Sequence, residues 1–346
     1  MTKHIHGGDV YTYKDCNDFS ANCNPLGTPE SVKEAIRNSL NHISNYPQVG
    51  CTRLISAIAD YEKVDENYII CGNGAADLIF NLCRAKKPQK ALLLAPSFAE
   101  YEQALMSVDC QISRFYLREE DDFYVGEKYI QALEDKPDMI FLCNPNNPTG
   151  ILTDRQFLLE ILEKCRQLGT FVAVDECFLD FVKDPGQYTL KEKLTEYNNL
   201  FILKAFTKRY AMAGVRLGYG MCSDKGLLEK MEQMTQPWNV STMAQEAGIA
   251  ALKENSYVEK GRKIIFEEAE WLKNQMTRLG LKVFPSEANY IFFRGPGDLF
   301  DSCIRKGILI RDCSNYPGLS RGFFRVAVKQ HEDNRKLILA LKDILL

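Results

Sequence analysis

Short runs of apolar residues recur through the middle of the chain and alternate with segments of helical periodicity. Each run spans four or five residues and ends at a turn or a polar residue; the runs are residues 68–71, 91–95, 139–143, 171–174 and 200–203. Uniformly apolar runs are typical of strands buried on both faces of a parallel sheet. Between two of these runs, residues 154–168 place Phe157, Leu158, Ile161 and Leu162 at helical spacing. The alternation predicts an α/β fold in which a mostly parallel sheet lies between helices.

The two ends of the chain have a different pattern. A helical segment follows Pro29, and the tail alternates helical segments at 258–279, at 298–306 and from His331 with apolar runs at 290–293 and 324–328. This pattern predicts a second, smaller α+β domain that is built from both ends. We therefore expect residues 1–40 and 240–346 to form the small domain and residues 41–239 to form the large domain.

Composition narrows the class of protein. A chain of 346 residues is long enough for about two domains, and 43 basic residues against 46 acidic ones give a net charge of −3. That balance argues against nucleic acid as the main partner. No apolar run approaches the roughly 18 residues of a membrane helix, and the start of the chain has no apolar signal core. We expect a cytoplasmic protein without a membrane partner.

Cysteine and histidine usage also bears on the location and the chemistry. The twelve cysteines form no C-x-x-C pair, and several lie inside apolar runs, which favours buried thiols in a reducing compartment. The chain has only four histidines, so a histidine-based metal site is not expected.

A glycine-rich turn follows the first apolar run. Gly72 and Gly74 come directly before a helical segment that begins near Ala75. Glycines let the backbone approach an anion, and a helix N-terminus offers unpaired N–H donors and the positive end of the helix dipole. The turn lacks the third glycine of a dinucleotide fingerprint and the lysine of a P-loop. A phosphate cradle and an ordinary strand-to-helix turn both stay open at this point.

Two further polar segments follow buried runs. Residues 144–150 have the sequence NPNNPTG, a stiff turn that is either structural or built to aim an amide at a ligand. Asp175 and Glu176 end the next run, where two acids are costly unless a cation pairs with them; a helix N-cap would explain one acid but not both. Ligands of such sheets bind beyond the carboxyl ends of the strands, which is where these segments lie.

The last candidate is a lysine that follows the run at 200–203. Lys208 lies among apolar and aromatic residues, where a desolvated amine can act as a nucleophile. Arg216 lies eight positions further on and can bind a phosphate. A lone lysine is usually a solvated surface residue, so the assignment depends on the other candidates.

Together, these features match the needs of one cofactor. They supply an amine for a Schiff base, a carboxylate for a pyridinium nitrogen, an amide for a phenolate oxygen, and a cradle with an arginine for a phosphate. This combination predicts a pyridoxal 5′-phosphate site without a metal. A nicotinamide-dependent dehydrogenase would leave Lys208 and residues 144–150 unexplained.

The chain resembles the fold-type I, aspartate-aminotransferase-like pyridoxal phosphate enzymes nearly from end to end. NPNNPTG, the strand-end VDE and the segment TKRYAMAGVRLGY carry the resemblance. It implies the following roles: Lys208 as the Schiff-base lysine, Asp175 as the partner of the ring nitrogen, Asn147 as a donor to the ring oxygen, Phe98 as the ring-stacking residue, Gly74, Ala75, Ala76, Thr207 and Arg216 as phosphate-binding residues, Tyr46 as a residue that reaches the phosphate of the neighbouring subunit in a homodimer, and Arg325 as the α-carboxylate ligand.

Within that family, the chain is most similar to the threonine-phosphate decarboxylases of cobalamin biosynthesis, with the histidinol-phosphate aminotransferases next. Residues 6–8, 18–27 and 310–313 carry the closer match. The resemblance implies that the substrate, a phosphorylated amino acid, contacts His6, Asn24, Asn147, Arg311 and Arg325. Two arginines can bind opposite ends of such a dianion. Arg311 as a surface residue and His6 as part of a disordered terminus are the alternatives.

Three departures from the family pattern affect the prediction. Ala76 and Ala205 stand where hydroxyl-bearing phosphate ligands are common, so cofactor binding depends more on Arg216 and the backbone. Phe178 stands where most aminotransferases of this kind have a tyrosine at the ring oxygen. The decarboxylase branch tolerates phenylalanine there, which favours a decarboxylase.

Three functions therefore stay open. The first is a lyase that decarboxylates an O-phospho-amino acid such as L-threonine O-3-phosphate. The second is a transferase, namely an aminotransferase that either is histidinol-phosphate-like or acts on another acidic amino acid. The third is a non-catalytic regulator that keeps the cofactor fold, although the chain has no DNA-binding extension.

Overall fold

The computed structural model describes residues 6–346, so the first five residues of the predicted small domain lie outside the described residues. Helices and strands alternate through the described chain. The helices are α1 (Glu30–Ser39), α2 (Thr52–Glu62), α3 (Ala75–Lys86), α4 (Ala99–Met106), α5 (Lys128–Ala132), α6 (Arg155–Leu168), α7 (Phe206–Arg209), α8 (Lys225–Met234), α9 (Thr242–Ala251), α10 (Asn255–Arg278), α11 (Leu299–Arg305) and α12 (His331–Leu345). The strands are β1 (Asn17–Asp18), β2 (Ile69–Gly72), β3 (Lys90–Ala95), β4 (Gln111–Tyr116), β5 (Met139–Cys143), β6 (Phe171–Asp175), β7 (Leu200–Ala205), β8 (Gly218–Met221), β9 (Lys282–Val283), β10 (Tyr290–Arg294), β11 (Ile308–Leu309), β12 (Arg311–Asp312) and β13 (Phe323–Ala327).

The main sheet has seven strands in the order β2-β8-β7-β6-β5-β3-β4. Strand β8 runs antiparallel to both of its neighbours, and the pairs among β3 to β7 are parallel. The five apolar runs of the sequence are β2, β3, β5, β6 and β7, which confirms the predicted mostly parallel sheet. These five strands run in the same direction, so their carboxyl ends lie along one edge of the sheet.

Both faces of this sheet are covered by apolar side chains. On β3, Leu92 and Leu94 belong to one buried apolar cluster, and Ala91 and Leu93 belong to the cluster on the opposite face. Successive side chains of a strand point to opposite faces, so a uniformly apolar strand requires a cover on each side. This is the physical reason for the runs without alternation.

The chain ends form smaller sheets with a core of their own. A four-stranded antiparallel sheet has the order β12-β13-β10-β9, and β1 pairs in parallel with β11. Buried side chains of this sheet, such as Phe293 and Val326, pack with Leu272 of α10 and Leu337 of α12. The β1–β11 pair joins the beginning of the chain to its tail, as the predicted two-ended small domain requires. The domain boundaries at residues 40 and 240 stay predictions.

Two strands of the main sheet were not expected from the apolar pattern. Strand β4 lies at the edge, and most of its side chains are at least partly exposed, so it lacks a uniformly apolar run. Strand β8 contains two glycines because other groups fill the space beside it: a Cβ at Gly220 would lie 2.0 Å from Phe201 Cζ, and one at Gly218 would lie 2.7 Å from the amide nitrogen of Ala75. Among residues 6–346, none of the helices combines the length and the apolar composition that crossing a bilayer requires.

Candidate active site

A cavity of about 340 Å³ lies at the carboxyl edge of the main sheet and reaches the small antiparallel sheet. Most of the site residues predicted from the sequence line it. They are His6, Ala75, Ala76, Phe98, Asn147, Asp175, Phe178, Thr207, Lys208, Arg216, Arg311 and Arg325. The residues from Ala75 to Arg216 in this set lie in the segments that follow β2, β3, β5, β6 and β7. These segments meet because the carboxyl ends of the parallel strands share one edge of the sheet. The sheet topology thus brings together segments that are far apart in the sequence.

One end of the cavity is built to receive an anion. Helix α3 begins after Gly74, which has a φ of 85° and provides no side-chain cap. The first N–H groups of a helix have no intrahelical partner, and Ala75 and Ala76 line the cavity. The guanidinium of Arg216 lies beside this turn: a Cβ at position 74 would lie 2.5 Å from its Nη2. Glycine is favoured at position 74 because residues with a side chain rarely adopt a φ of 85° with a ψ of 164°, and a Cβ there would also displace the end of the Arg216 side chain. Gly74 itself is not part of the lining.

Asp175, at the end of β6, places a buried carboxylate in the cavity wall. Its Oδ2 accepts a hydrogen bond of 2.6 Å from the Tyr101 hydroxyl, and its Oδ1 accepts one of 2.9 Å from the Cys177 amide. Burial raises the pKa of Asp175, and these hydrogen bonds act in the opposite direction. A carboxylate held in this way can pair with a cationic nitrogen inside the cavity.

Glu176, the second acid of the pair, has a different role from Asp175. Its Oε2 accepts a hydrogen bond of 2.8 Å from Thr189, and its Oε1 accepts one of 3.0 Å from the Leu190 amide. It also lies 3.7 Å from the ammonium of Lys204. Asp175 thus lines the cavity, whereas Glu176 belongs to a buried ionic cluster. Neither of the two acids acts as a helix N-cap.

The cavity and the ionic cluster each contain one lysine of the segment after β6. Lys204 lies within 3.8 Å of Glu62, Glu176 and Asp180. Burial opposes its charge, but the three carboxylates outweigh burial and raise the pKa of Lys204. Lys208 lines the cavity, and no ion pair with a carboxylate is present for it among residues 6–346. Lys204 is therefore the structural cation, and Lys208 is the amine available for chemistry.

The NPNNPTG turn directs Asn147 into the cavity. The Asn147 Oδ1 accepts hydrogen bonds from the guanidinium of Arg325 and from the hydroxyl of Tyr316, the latter at 3.5 Å. Asn146 holds the turn against the segment after β3, because its Nδ2 donates a hydrogen bond of 3.1 Å to the carbonyl of Pro96. Because the oxygen of the Asn147 amide is engaged by donors, its NH₂ group is the end that can donate to a ligand.

Two phenylalanines form apolar walls of the cavity. Phe98 follows β3 and contacts Tyr101 edge to face, with 5.5 Å between ring centroids. Phe178 packs edge to face on Tyr290 at 5.0 Å and brings no hydroxyl into the cavity. A tyrosine at position 178 could donate a hydrogen bond to a ligand, but Phe178 cannot. The side-chain amide of Asn147, which also lines the cavity, is a donor that a ligand can reach.

Two arginines of the small sheet meet in the same cavity. Arg311 of β12 and Arg325 of β13 are directly paired in the antiparallel ladder, and both are buried. Arg325 donates to the Ser20 carbonyl at 3.0 Å, and Arg311 donates to the Asn315 Oδ1 at 2.9 Å. Arg311 is thus not a solvated surface residue. Like charges directly opposite each other in a ladder repel, and an anion between them would relieve that repulsion.

His6 lies at the cavity, but Asn24 and Tyr46 do not line it. The His6 imidazole is about half exposed, and its Nδ1 lies 3.4 Å from Glu100 Oε1. The Asn24 side chain donates to the carbonyl of Arg209 at 3.0 Å. Tyr46 is exposed and its ring stacks on Trp238. Contacts of Asn24 with substrate and of Tyr46 with a partner subunit stay predictions.

Several polar lining residues were missed by the sequence analysis. They are Ser20, Asn22, Glu100, Asn315 and Tyr316. Ser20 and Asn22 lie within residues 18–27, which carry part of the family resemblance. That resemblance was the one feature of the sequence that could have pointed to them. Glu100, Asn315 and Tyr316 belong to no motif with a chemical mechanism, so only the folded chain places them here.

The cavity fits pyridoxal phosphate. The glycine-dependent turn with Arg216 suits the phosphate, and the buried carboxylate of Asp175 suits a pyridinium nitrogen. The Asn147 amide suits the ring oxygen, and Lys208 supplies the amine. The apolar face of Phe98 suits an aromatic ring. This set of groups needs no further residue to hold the cofactor.

Comparisons with known proteins also indicate a pyridoxal phosphate enzyme. The profile of the aminotransferase class I and II family matches residues 14–341. Threonine-phosphate decarboxylase from Salmonella typhimurium is 36% identical over 332 residues, which cover 95% of this chain and 91% of that relative. Histidinol-phosphate aminotransferase 2 from Archaeoglobus fulgidus is 32% identical over 339 residues, which cover 96% and 94%. A crystal structure of the histidinol-phosphate aminotransferase from Clostridium acetobutylicum has a TM-score of 0.88 at 32% identity, over 94% of this chain and 98% of that one.

A parallel sheet whose carboxyl edge carries a lysine, a carboxylate, an amide and a phosphate cradle defines an aspartate-aminotransferase-like pyridoxal phosphate enzyme. The chain belongs to the aminotransferase class I and II family. It is therefore an enzyme, and the reading as a non-catalytic regulator is not supported.

Proposed function

We propose that the protein decarboxylates an O-phospho-amino acid such as L-threonine O-3-phosphate, with Lys208 carrying the cofactor. The observation that carries this proposal is the pair of buried arginines, Arg311 and Arg325, side by side in the antiparallel ladder and in one cavity with Lys208. Two guanidinium groups can bind the two anionic ends of a phospho-amino acid, each through two parallel hydrogen bonds. The 36% identity with a threonine-phosphate decarboxylase supports the same substrate class.

Each residue of the cavity has a defined task in this reaction. Arg325 binds the α-carboxylate, Arg311 binds the distal phosphate, and together they orient the substrate and so determine which bond at Cα breaks. Bound pyridoxal phosphate supplies a ring that accepts electrons from Cα. Asp175 holds a proton at the ring nitrogen, and Asn147 donates a hydrogen bond to the ring oxygen.

Other residues bind the cofactor and move the proton that the reaction needs. Arg216, the Thr207 hydroxyl and the first N–H groups of α3 bind its phosphate. Lys208 would provide the amine that holds the cofactor. Loss of the carboxylate as carbon dioxide leaves Cα in need of a proton, and the ammonium of Lys208, which lines the same cavity, would be placed to donate it.

Transamination is the second candidate function. The same cavity would bind histidinol phosphate, which is an amino-alcohol phosphate, or an acidic amino acid, and the 32% identity with a histidinol-phosphate aminotransferase supports this second candidate. The two reactions differ in which Cα bond breaks. Phe178 favours decarboxylation, because in the family that the chain resembles the decarboxylase branch tolerates phenylalanine at this wall.

One assay with two substrates separates the candidates. Purified protein with pyridoxal phosphate is incubated with L-threonine O-3-phosphate, and separately with histidinol phosphate plus 2-oxoglutarate. ³¹P NMR and mass spectrometry then identify the products, and Lys208→Ala serves as the inactive control. Release of carbon dioxide with formation of 1-amino-2-propanol phosphate supports the proposal. Glutamate formation without decarboxylation would replace it by the aminotransferase.

We further propose that the enzyme is a homodimer. Ile43, Tyr46 and Val49 are 67%, 77% and 63% exposed, and the nearby Trp238 is 45% exposed. The Tyr46 and Trp238 rings stack with 4.3 Å between their centroids, and Val49 and Trp238 line the same surface pocket, so these three side chains are close neighbours. A contiguous exposed apolar patch of this kind marks an interaction site. A second copy of the chain is the proposed occupant, because Tyr46 resembles the residue that reaches a neighbouring phosphate in the family.

A cytoplasmic location is also part of the proposal. All twelve cysteines are free thiols, and most of them are buried. Burial raises the pKa of several of these thiols, for example that of Cys83 to about 12, which keeps them protonated and unreactive. Free buried thiols are typical of proteins in a reducing compartment. Fractionation of the native cells is the direct measurement.

A further inference from the structure

Tyr101 is a buried residue just behind the cavity wall. It lies in the first turn of α4, three residues after Phe98, and its side chain has no exposed surface. It is not part of the cavity lining, so it does not reach a bound ligand. Its hydroxyl donates to Asp175 Oδ2 at 2.6 Å, the shorter of the two hydrogen bonds that this carboxylate accepts.

The ring of Tyr101 is fixed by aromatic neighbours. It stacks on Phe141 of β5, with centroids 4.7 Å apart and an angle of 9° between the planes. It also contacts Phe98 edge to face. Burial and the negative charge of Asp175 raise the pKa of the Tyr101 phenol well above its usual value, so the phenol stays a donor. One rigid side chain thus links a wall of the cavity to the carboxylate inside it.

We propose that Tyr101 is a positioning residue that keeps the proton shared by Asp175 and the cofactor ring nitrogen on the nitrogen. A carboxylate that accepts two strong hydrogen bonds is stabilised in its charged form, and only the charged form can balance a protonated ring nitrogen. This inference depends on the proposed function only in that pyridoxal phosphate binds. It holds for a decarboxylase and for an aminotransferase alike.

The balance at Asp175 explains why one hydroxyl matters. Burial raises the pKa of this carboxyl, and the hydrogen bonds from Cys177 and Tyr101 oppose it. Other titratable groups near it include the thiols of Cys143 and Cys177 and the phenol of Tyr290, which burial keeps protonated. Lys208 lines the same cavity. Without the Tyr101 hydroxyl, one of the groups that oppose burial is lost, so the pKa of Asp175 rises further and the shared proton shifts from the ring nitrogen toward the carboxyl.

The test compares two tyrosine-to-phenylalanine variants. Tyr101→Phe removes the hydroxyl and keeps the stacked ring. Tyr129→Phe is the matched control, because Tyr129 is also fully buried and its hydroxyl has no hydrogen-bond partner among the described residues. Both holoenzymes are loaded with pyridoxal phosphate labelled with ¹⁵N in the ring, and the ¹⁵N chemical shift reports where the proton lies. Steady-state kinetics with the preferred substrate give kcat and KM.

For Tyr101→Phe we expect the ¹⁵N shift to move toward that of an unprotonated pyridine. We expect kcat to fall about 10- to 100-fold, the value of a hydrogen bond to a charged group, with KM changed by less than about threefold. The control should match the wild type in all three quantities. A loss of kcat with an unchanged ¹⁵N shift would reduce Tyr101 to a structural role and overturn the proposal.

A second substitution covers the case in which Tyr101→Phe does not fold. Site-specific 3-fluorotyrosine at position 101 keeps the hydroxyl and makes it a stronger donor, so the ¹⁵N shift should move toward the protonated value. An unchanged shift in this protein would overturn the proposal as well. Wild-type protein that binds no pyridoxal phosphate would instead contradict the proposed function itself, so the two failures are distinguishable.

Discussion

The main-chain amide of Asn24 donates a hydrogen bond of 2.9 Å to the carbonyl of Lys208, the amine-bearing residue of the cavity. The Asn24 side chain donates to the carbonyl of Arg209, the next residue, at 3.0 Å. Helix α7 has only four residues, so its last carbonyls have no partners within the helix. Asn24 donates a hydrogen bond to two of these carbonyls. It thereby connects the N-terminal segment of the chain to the turn that carries Lys208.

Replacement of Asn24 should therefore destabilise the turn. In Asn24→Ala the buried carbonyl of Arg209 loses its donor, which costs about 1–3 kcal/mol of unfolding free energy. We expect a matching fall of the denaturant midpoint and weaker retention of the cofactor on dialysis. Asn274→Ala, an exposed position of α10, is the control and should leave both quantities unchanged. Full stability of Asn24→Ala with loss of substrate binding alone would favour the direct substrate contact that the sequence suggested.

Chemical trapping can identify the lysine that carries the cofactor. Borohydride should fix pyridoxal phosphate on Lys208, with the mass increase found on the peptide that contains this residue. The same peptide region contains Lys204, but its ammonium lies within 4 Å of three carboxylates and is not free to react. Tandem mass spectrometry separates the two positions. A label on Lys204, or on any lysine outside the cavity, would contradict the assignment.

The ionic cluster around Lys204 gives a prediction on stability and pH. Lys204→Met leaves Glu62, Glu176 and Asp180 without their central cation, and removing one partner of a buried ion pair costs about 3–5 kcal/mol. Burial already raises the pKa of Glu176 and Asp180, and Lys204 opposes that rise. Carboxyls with a raised folded-state pKa stabilise the fold at low pH and lose that contribution as the pH rises.

The loss in Lys204→Met should therefore be larger at pH 8 than at pH 5, where the carboxyls take up protons. Urea unfolding at both pH values measures it. Lys260→Met is the control, since Lys260 is exposed on α10 and should show no pH-dependent difference from the wild type. A deficit that shrinks as the pH rises would mean that Lys204 does not hold these carboxylates in their charged form.

Mixing of two inactive variants tests the proposed shared active site. If Tyr46 reaches the phosphate in the other subunit, Tyr46→Phe combined with Lys208→Ala should form hybrids in which one site carries neither change. Such hybrids should regain up to about a quarter of the wild-type activity, while each variant alone stays low. Sedimentation of the wild type as a fully active monomer would exclude the dimer.

Much of the fold and of the site was accessible from the sequence because the informative residues are local. The five buried runs stand out because both faces of the sheet are covered, and NPNNPTG and Asp175 follow them directly in the chain. The carboxyl-edge rule then brings them together. Strand β4 was not visible, because an edge strand with exposed side chains lacks the apolar run.

The remaining residues depend on packing that no local pattern encodes. Tyr101 binds Asp175 across 74 positions of sequence, and Tyr316 binds Asn147 across 169. Asn24 shows the same limit. The sequence predicts that it contacts the substrate, and only the folded chain shows that its main-chain and side-chain amides donate to the carbonyls of Lys208 and Arg209. Contacts of this kind follow from the way the loops after different strands meet.

The two arginines give the sharpest test of the proposed substrate. Arg311 and Arg325 lie opposite each other in the ladder, but their surroundings differ. Arg325 is bound to Asn147, the proposed donor to the cofactor ring, whereas Arg311 is bound to Asn315 and lies over the ring of Tyr316. We therefore expect Arg325 to hold the α-carboxylate, which is the end near the reacting bond, and Arg311 to hold the distal phosphate.

Arg311→Ala should weaken phosphorylated substrates far more than their unphosphorylated analogues, since only the former have a distal anion. The loss of one charged contact that leaves its partner unpaired costs about 2–5 kcal/mol, or roughly 30- to several thousand-fold in kcat/KM. Arg325→Ala should weaken both kinds of substrate about equally, because both carry the α-carboxylate. The contrast between the variants is the measurement, since either one alone could lose activity through misfolding. If Arg311→Ala keeps the preference for phosphorylated substrates, Arg311 does not bind the phosphate, and a general aminotransferase becomes the better assignment.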